Sequence, residues 1–261
     1  MELVIFIGIP ASGKSTESKK YRDMGYEVLS SDEIRNKIMK GVSLAEVSQE
    51  EQNKINHEVF ETIRIRTHEA LQNGRSVVMD ATNLNRKLRM EFLDQFKPYN
   101  CKKRCALFIT PANTCLERNR KRTGTALVPE HVMQWMLSVF ECPYYWEGWD
   151  EITPVIADVP YAVSSDQLAP LHFTEDLSEA VKEAALYHDI GKLFTEERHE
   201  NYSAYLYLTA KCCGKPVSSE EFRKTLYVTN LINCHTLKEP DTELFGEDFI
   251  RDLTKLHSIT E

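Results

Sequence analysis

Apolar residues follow two rhythms along this chain. Short, mostly apolar runs alternate with longer stretches whose apolar positions recur every three or four residues. The runs Leu3-Val4-Ile5-Phe6-Ile7, Tyr26 to Ser30, Ser76 to Asp80, Lys103 to Ile109 and Val155-Ile156-Ala157 predict strands. Between them, Asn53 to Leu71 carries apolar residues at Ile55, Val59, Phe60, Ile63 and Leu71 among charges, the pattern of an amphipathic helix stopped at Asn73-Gly74. Helices are also predicted over Arg86 to Phe96, Pro111 to Lys121 and Val132 to Phe140. Strands alternating with helices imply a mostly parallel, doubly wound α/β sheet, which binds ligands at the carboxyl ends of its strands. Near residue 160 the rhythm changes. From Leu177 onward there is little strand signal, and Ser178 to Tyr187, Glu200 to Lys211, Ser218 to Ile232 and Glu247 to His257 read as helices. Asp166 to Thr174, with Pro170, reads as a linker, so the expected division is an α/β domain over 1–165 and an all-α domain over 166–261.

The first strand runs into Gly8-Ile9-Pro10-Ala11-Ser12-Gly13-Lys14-Ser15, and a polar run from Thr16 to Arg22 can open a helix. Strand, GxxxxGK[ST], helix is the P-loop arrangement. Gly8 and Gly13 let the backbone turn sharply, and the loop N–H groups and helix N-terminus converge on one point of positive potential. Gly8, Ala11, Ser12, Gly13, Lys14, Ser15 and Thr16 are therefore the expected ATP-binding set, with Lys14 on the β- and γ-phosphates and the Ser15 hydroxyl on Mg²⁺.

A P-loop alone fits a motor, a GTPase, a switch or a kinase. Asp32, just past the second strand, can accept a proton from a hydroxyl, and Arg35, one turn on, can hold a phosphate. The other reading of Asp32 is an N-cap for a helix starting at Glu33. Asp80 ends the third strand, as either a turn residue or a carboxylate on the Mg²⁺ side. The cationic run Arg118 to Arg122, ending at Gly124, is either a solvated face or a lid over the transferring phosphoryl, where charge compensation is needed.

Composition narrows the picture modestly. The chain has 261 residues, a formal net charge of -8 and 42% hydrophobic residues. The acidity opposes broad nonspecific nucleic-acid coating but permits a local basic groove at Arg86 to Arg89 or Arg118 to Arg122. Seven cysteines form no CxxC pair, so neither a zinc ribbon nor a disulfide framework is indicated. No apolar run approaches the ~18 residues of a membrane span, and no signal-peptide layout opens the chain, so a cytoplasmic protein without membrane partners is expected.

Four blocks in order resemble the phage-type 5′-polynucleotide kinases: Gly8 to Thr16, Ser31-Asp32-Glu33-Ile34-Arg35, Asp80-Ala81-Thr82-Asn83-Leu84-Asn85, and Arg118 to Pro129. The resemblance covers about the first 150 residues. It implies that Asp32 is the general base for the 5′-OH of RNA or DNA, that Arg35 contacts the acceptor's phosphate, that Asp80 and Asn83 serve the acceptor or metal side, and that Arg122, or less directly Arg118, covers the ATP phosphates. Arg122-Thr123-Gly124-Thr125 carries an extra residue where that family reads Arg-Gly-Thr. A small-molecule or sugar-nucleotide kinase, and an NTP-gated interaction module, remain open alternatives.

In the second half, Tyr187-His188-Asp189-Ile190-Gly191-Lys192 follows an apolar helix. Imidazole and carboxylate on one turn suit a divalent transition metal, and His199 and His235 could complete its ligand set. The stretch resembles the HD phosphohydrolase superfamily, with two departures. The upstream histidine could only be His172, in the linker-like segment, and Thr260 occupies the place of the closing aspartate. An active phosphohydrolase and a degenerate HD-like module are both compatible with this pattern.

Overall fold

A computed structural model of the chain describes residues 1–40, 42, 46–159, 161 and 177–260. Five parallel strands, β1 (Glu2–Ile7), β2 (Glu27–Ser30), β3 (Val77–Asp80), β4 (Lys102–Ile109) and β5 (Glu151–Ile156), form one sheet in the order β2-β3-β1-β4-β5. β1 lies in the middle with Ile5 opposite Met79 on one side and Cys105 on the other. Its residues Leu3 to Ile7 are buried on both faces, which is why the run shows no alternation. The fifth strand begins four residues before the run Val155-Ile156-Ala157 that signals it. Pro154 sits inside it, tolerated because β5 is an edge strand with only β4 beside it.

Helices α1 (Lys14–Asp23), α2 (Ser31–Met39), α3 (Gln49–Gln72), α4 (Arg86–Gln95), α5 (Ala112–Arg120) and α6 (Glu130–Ser138) connect or flank the strands. α3 opens on a reciprocal capping box between Ser48 and Glu51. The helical half contributes α7 (Glu179–Tyr187), α8 (His199–Cys212), α9 (Ser219–Cys234) and α10 (Glu247–Thr260). The expected linker, the boundary near 165 and His172 lie outside the described residues.

The two halves are packed together. Tyr205, Leu206, Leu208, Cys212, Phe222 and Leu226 belong to the same apolar core as Leu3, Ile5, Leu107 and Phe140. A second core holds α7, α9 and α10 together through Val181, Leu231, Phe249 and Leu253. Polar side chains join the halves at the seam. Arg86 Nη2 donates to Asn230 Oδ1 at 2.9 Å, Asn233 Oδ1 accepts from the Cys142 N–H at 2.8 Å, and Asn201 Nδ2 donates to the Ser138 carbonyl at 2.8 Å.

This seam corrects one expectation. Arg86 and Arg89 line no basic groove: both are buried, Arg89 at 2% exposure. Arg89 makes a bidentate pair with buried Glu147, Nε to Oε2 at 2.8 Å and Nη2 to Oε1 at 2.7 Å, and also donates to the Asn83 and Leu84 carbonyls. A short cationic run looks the same in sequence whether its partner carboxylate is water-exposed or, as here, arrives from 58 residues away.

Candidate functional site

The P-loop leaves β1 at Gly8 and enters α1 at Lys14. Its two glycines serve different needs. Gly13 has φ of 109°, which only glycine adopts without strain. At Gly8 the constraint is space, because a Cβ there would lie 2.7 Å from Phe108 Cβ and 2.9 Å from Ser12 Oγ. Ala11 is left-handed too, at φ 63°. Ser15 and Thr16 are exposed in the first turn of α1, where the Thr16 N–H reaches the carbonyl of the N-cap Gly13 at 3.0 Å. Lys14 folds back and donates from Nζ to the carbonyls of Gly8 at 2.8 Å and Ile9 at 2.9 Å. Desolvation inside the loop pushes its ammonium down to about 8. Ser12 Oγ is buried without a partner. A buried unpaired hydroxyl, a lysine bonded to its own loop and a helix N-terminus suit a triphosphate chemically.

The charged residues singled out in the sequence gather on this loop. The Lys14 ammonium feels the carboxylates of Asp80 and Asp32 and the guanidinium of Arg122. Asp80, buried at the end of β3, accepts a 2.5 Å hydrogen bond from Ser18 Oγ one turn into α1, and burial raises its carboxyl above the ordinary range. Asp32 lies in the first turn of α2 with its side chain 84% exposed, and its Oδ1 accepts from Arg35 Nη1 at 2.8 Å. The N-cap of α2 is Ser30, whose hydroxyl accepts from the Glu33 N–H, so Asp32 is not occupied with capping. Arg35 Nη2 donates to Asn56 Oδ1 on α3 at 3.3 Å, while its Nε is buried without a partner.

Asn83 stands apart from this group. Its backbone is left-handed at φ 48°, and its Nδ2 donates to the Phe6 carbonyl at 2.8 Å, holding the end of β1. In the lid segment, buried Asn119 spans the turn, Nδ2 to the Val128 carbonyl at 2.6 Å and Oδ1 from the Val128 N–H at 3.1 Å. Arg120 pairs with Glu130. Arg122 acts on Lys14 itself, whereas Arg118 is exposed and its charge reaches Cys115.

A second cluster lies in the helical half. His188 and Asp189 follow α7, His199 opens α8 and His235 ends α9. Asp189 Oδ1 is 3.0 Å from His199 Nε2 and 3.8 Å from His235 Nε2, and its Oδ2 is 3.3 Å from His188 Nε2. Each Nδ1 meets a carbonyl: His188 with Ala185 at 2.6 Å, His235 with Ile232 at 2.8 Å, His199 with Glu196 at 3.2 Å. A carbonyl only accepts, so each Nδ1 carries a hydrogen, and each Nε2 is turned toward the Asp189 carboxylate. Burial lowers His235 to about 4, keeping it neutral. Gly191 makes the assembly possible: a Cβ there would collide with the His199 carbonyl and the Ser203 N–H of α8. Thr260 returns its hydroxyl to the Leu256 carbonyl within α10.

Residues 3–143, more than half of the chain, match the model of a protein family described as AAA domain. The chain belongs to the AAA domain family. The fold of this N-terminal part is that of the P-loop kinases. A protein from Chloroflexus aurantiacus j-10-fl, described as a candidate kinase, is similar at 18% identity with a TM-score of 0.50, over 59% of this chain and 84% of that one. A deoxyadenosine kinase from M. mycoides is similar at 16% identity and TM-score 0.39, over 59% and 89%. A fungal RNA kinase is similar at 13% identity and TM-score 0.40, over 97% of this chain and 52% of that one. No curated protein matches. The family match ends before the helical half begins. Among the described residues, no helix is long and apolar enough to cross a membrane.

Proposed function

We propose that the AAA-domain half transfers the γ-phosphoryl of ATP to a hydroxyl at the 5′ end of a nucleic acid. The observation that carries this reading is the exposed Asp32 carboxylate within electrostatic reach of the P-loop lysine, beside an arginine whose Nε has no partner. Asp32 takes the acceptor's proton as its oxygen bonds to the γ-phosphorus, and the bond to the β-phosphate oxygen breaks. Lys14 and Arg122 compensate the charge that spreads over the phosphoryl oxygens. Ser15, with Asp80 behind it, would hold Mg²⁺, which neutralises phosphate charge when bound. Arg35 would take the phosphate next to the acceptor hydroxyl. Small-ligand pockets usually enclose most of the ligand; a base as open to solvent as Asp32 suits the end of a polymer better than a small sugar.

The test is an acceptor screen with radiolabelled ATP and Mg²⁺, using RNA and DNA 5′-OH oligonucleotides, free nucleosides and sugars. Labelled oligonucleotide is the expected product. Label on sugars or nucleosides alone would replace the polymer reading, and ATP hydrolysis without transfer would favour an NTP-gated module.

A second reading concerns the helical half: His188, Asp189, His199 and His235 hold a divalent transition metal. His199 Nε2 and His235 Nε2 lie 3.3 Å apart. Imidazole nitrogens converging on a carboxylate suit a cation among them, and carbonyls bonded to every Nδ1 are the outer support that metal-binding imidazoles commonly have. Such a metal would activate water for phosphate hydrolysis. Elemental analysis of purified protein is expected to find stoichiometric metal, lost in His188→Gln. A metal-free protein, or one whose metal survives that change, would leave the module structural.

A further inference from the structure

The AAA-domain match stops at residue 143, yet the helical half reaches the P-loop through a two-step hydrogen-bond relay. β4 runs to Ile109, and the next residue, Thr110, is buried. Its hydroxyl donates to the Ser12 carbonyl at 3.1 Å, inside the loop and between the two left-handed residues Ala11 and Gly13. Its carbonyl accepts from the phenol of Tyr205, on α8, at 2.7 Å. Tyr205 is fully buried, and burial lifts its phenol well above the ordinary range, so it stays a donor. Its ring meets Phe140, just beyond α6, edge-on at 5.0 Å. The same face of the sheet end receives Cys213 Sγ on the Ile109 carbonyl at 3.6 Å.

We infer that Tyr205 is a positioning residue for the P-loop. It acts through Thr110 on the carbonyl of Ser12 and touches no substrate. The loop needs such a buttress because left-handed residues on either side of Ser12, one of them the non-glycine Ala11, hold their shape only when neighbours over-determine them. The Thr110 hydroxyl supplies one restraint, and the Tyr205 phenol fixes the peptide that carries that hydroxyl. The helical half is thereby part of the nucleotide site.

The inference rests on the P-loop being the ATP site. Its test uses the full chain with three substitutions. Tyr205→Phe removes the hydroxyl and keeps the ring against Phe140. Thr110→Val removes the donor to Ser12 at nearly constant volume. Tyr207→Phe is the control: an equally buried phenol two residues along the same helix, in the second core and remote from the loop. Tyr205→Phe and Thr110→Val are each expected to raise the KM for ATP about threefold to tenfold, the factor for one hydrogen bond. The KM for the acceptor stays unchanged, and the double variant falls short of the product of the single effects. Tyr207→Phe lowers the melting temperature but leaves the KM for ATP unchanged. An unaltered KM in Tyr205→Phe, or an equal rise in Tyr207→Phe, overturns the assignment. Wild-type protein that binds no ATP analogue overturns the nucleotide reading itself, and this inference with it.

Discussion

The P-loop site and the imidazole cluster are built in opposite ways. The first is contiguous: eight residues from Gly8 to Ser15 make its cradle, and the backbone does much of the binding. The second is assembled from the ends of α7, α8 and α9, with side chains from residues 188, 189, 199 and 235 and a glycine, Gly191, that lets the pieces close. Their exposure differs as well. Asp32 stands in solvent, whereas His188 and His235 are buried. The exposures match the two proposals: a base that admits a large acceptor has to be open, and a metal is held most firmly where water competes least. The contrast also predicts how each site fails. Loss of one group in the cradle leaves the backbone cup in place, but loss of one imidazole removes a quarter of the side chains that meet at the cluster.

The sharpest way to break the comparison is Asp32→Asn. It is expected to lower phosphoryl transfer by about a hundredfold to ten-thousandfold, the worth of a general base. Nucleotide affinity and metal content stay as they were. Single-turnover transfer to a 5′-OH oligonucleotide measures it, and a wild-type rate would remove Asp32 from the mechanism. The mirror experiment is His235→Ala, expected to weaken metal retention on the order of a hundredfold. Metal titration with a competing chelator reads this out, and phosphoryl transfer measured in parallel should not change. If transfer falls with the metal, the two sites are not independent.

A smaller effect separates the cradle's charge from its shape. Because the Lys14 ammonium is lowered to about 8, ATP affinity should be level below that pH and fall above it as the lysine loses its proton. The limit is about tenfold per pH unit. Calorimetry without divalent metal isolates this term. Affinity that stays level to pH 10 would mean either that the lysine keeps its proton at an ordinary value or that its charge does not act on the nucleotide.

The same contrast explains what was legible in the sequence. The loop's place between β1 and α1 was, because its parts adjoin in the chain and the strand before it is a plain apolar run. The sheet followed from alternating rhythms, and the helices of the second half from their periodicity. Arg86 and Arg89 were misread because burial beside Glu147 depends on packing between segments far apart in sequence. Asn83 carries an amide suited to substrate, yet its donor is engaged by the strand end beside it. Tyr205 gave no signal at all. A tyrosine in an apolar helix looks like any core residue until the sheet is folded against it. Histidines at 188, 199 and 235 could be suspected from residue type, but their convergence needed three helices in space.

Asp32 itself shows how little separates the two readings in sequence, and it allows the finest test. Ser30, Ser31 and Asp32 are all capping residue types ahead of Glu33, and only geometry distinguishes them. Ser30 has an extended backbone and accepts from the Glu33 N–H, while Asp32 is already helical. Ser30→Ala should therefore cost about 1 kcal/mol or less of stability, since the capping bond is long at 3.4 Å. Asp32→Asn should leave the melting temperature close to wild type despite abolishing most of the transfer. The pair of melting curves thus divides stability from chemistry along two residues of one turn. A larger loss of stability in Asp32→Asn than in Ser30→Ala would return Asp32 to the role of a cap, and the exposed carboxylate within electrostatic reach of Lys14 would need another explanation.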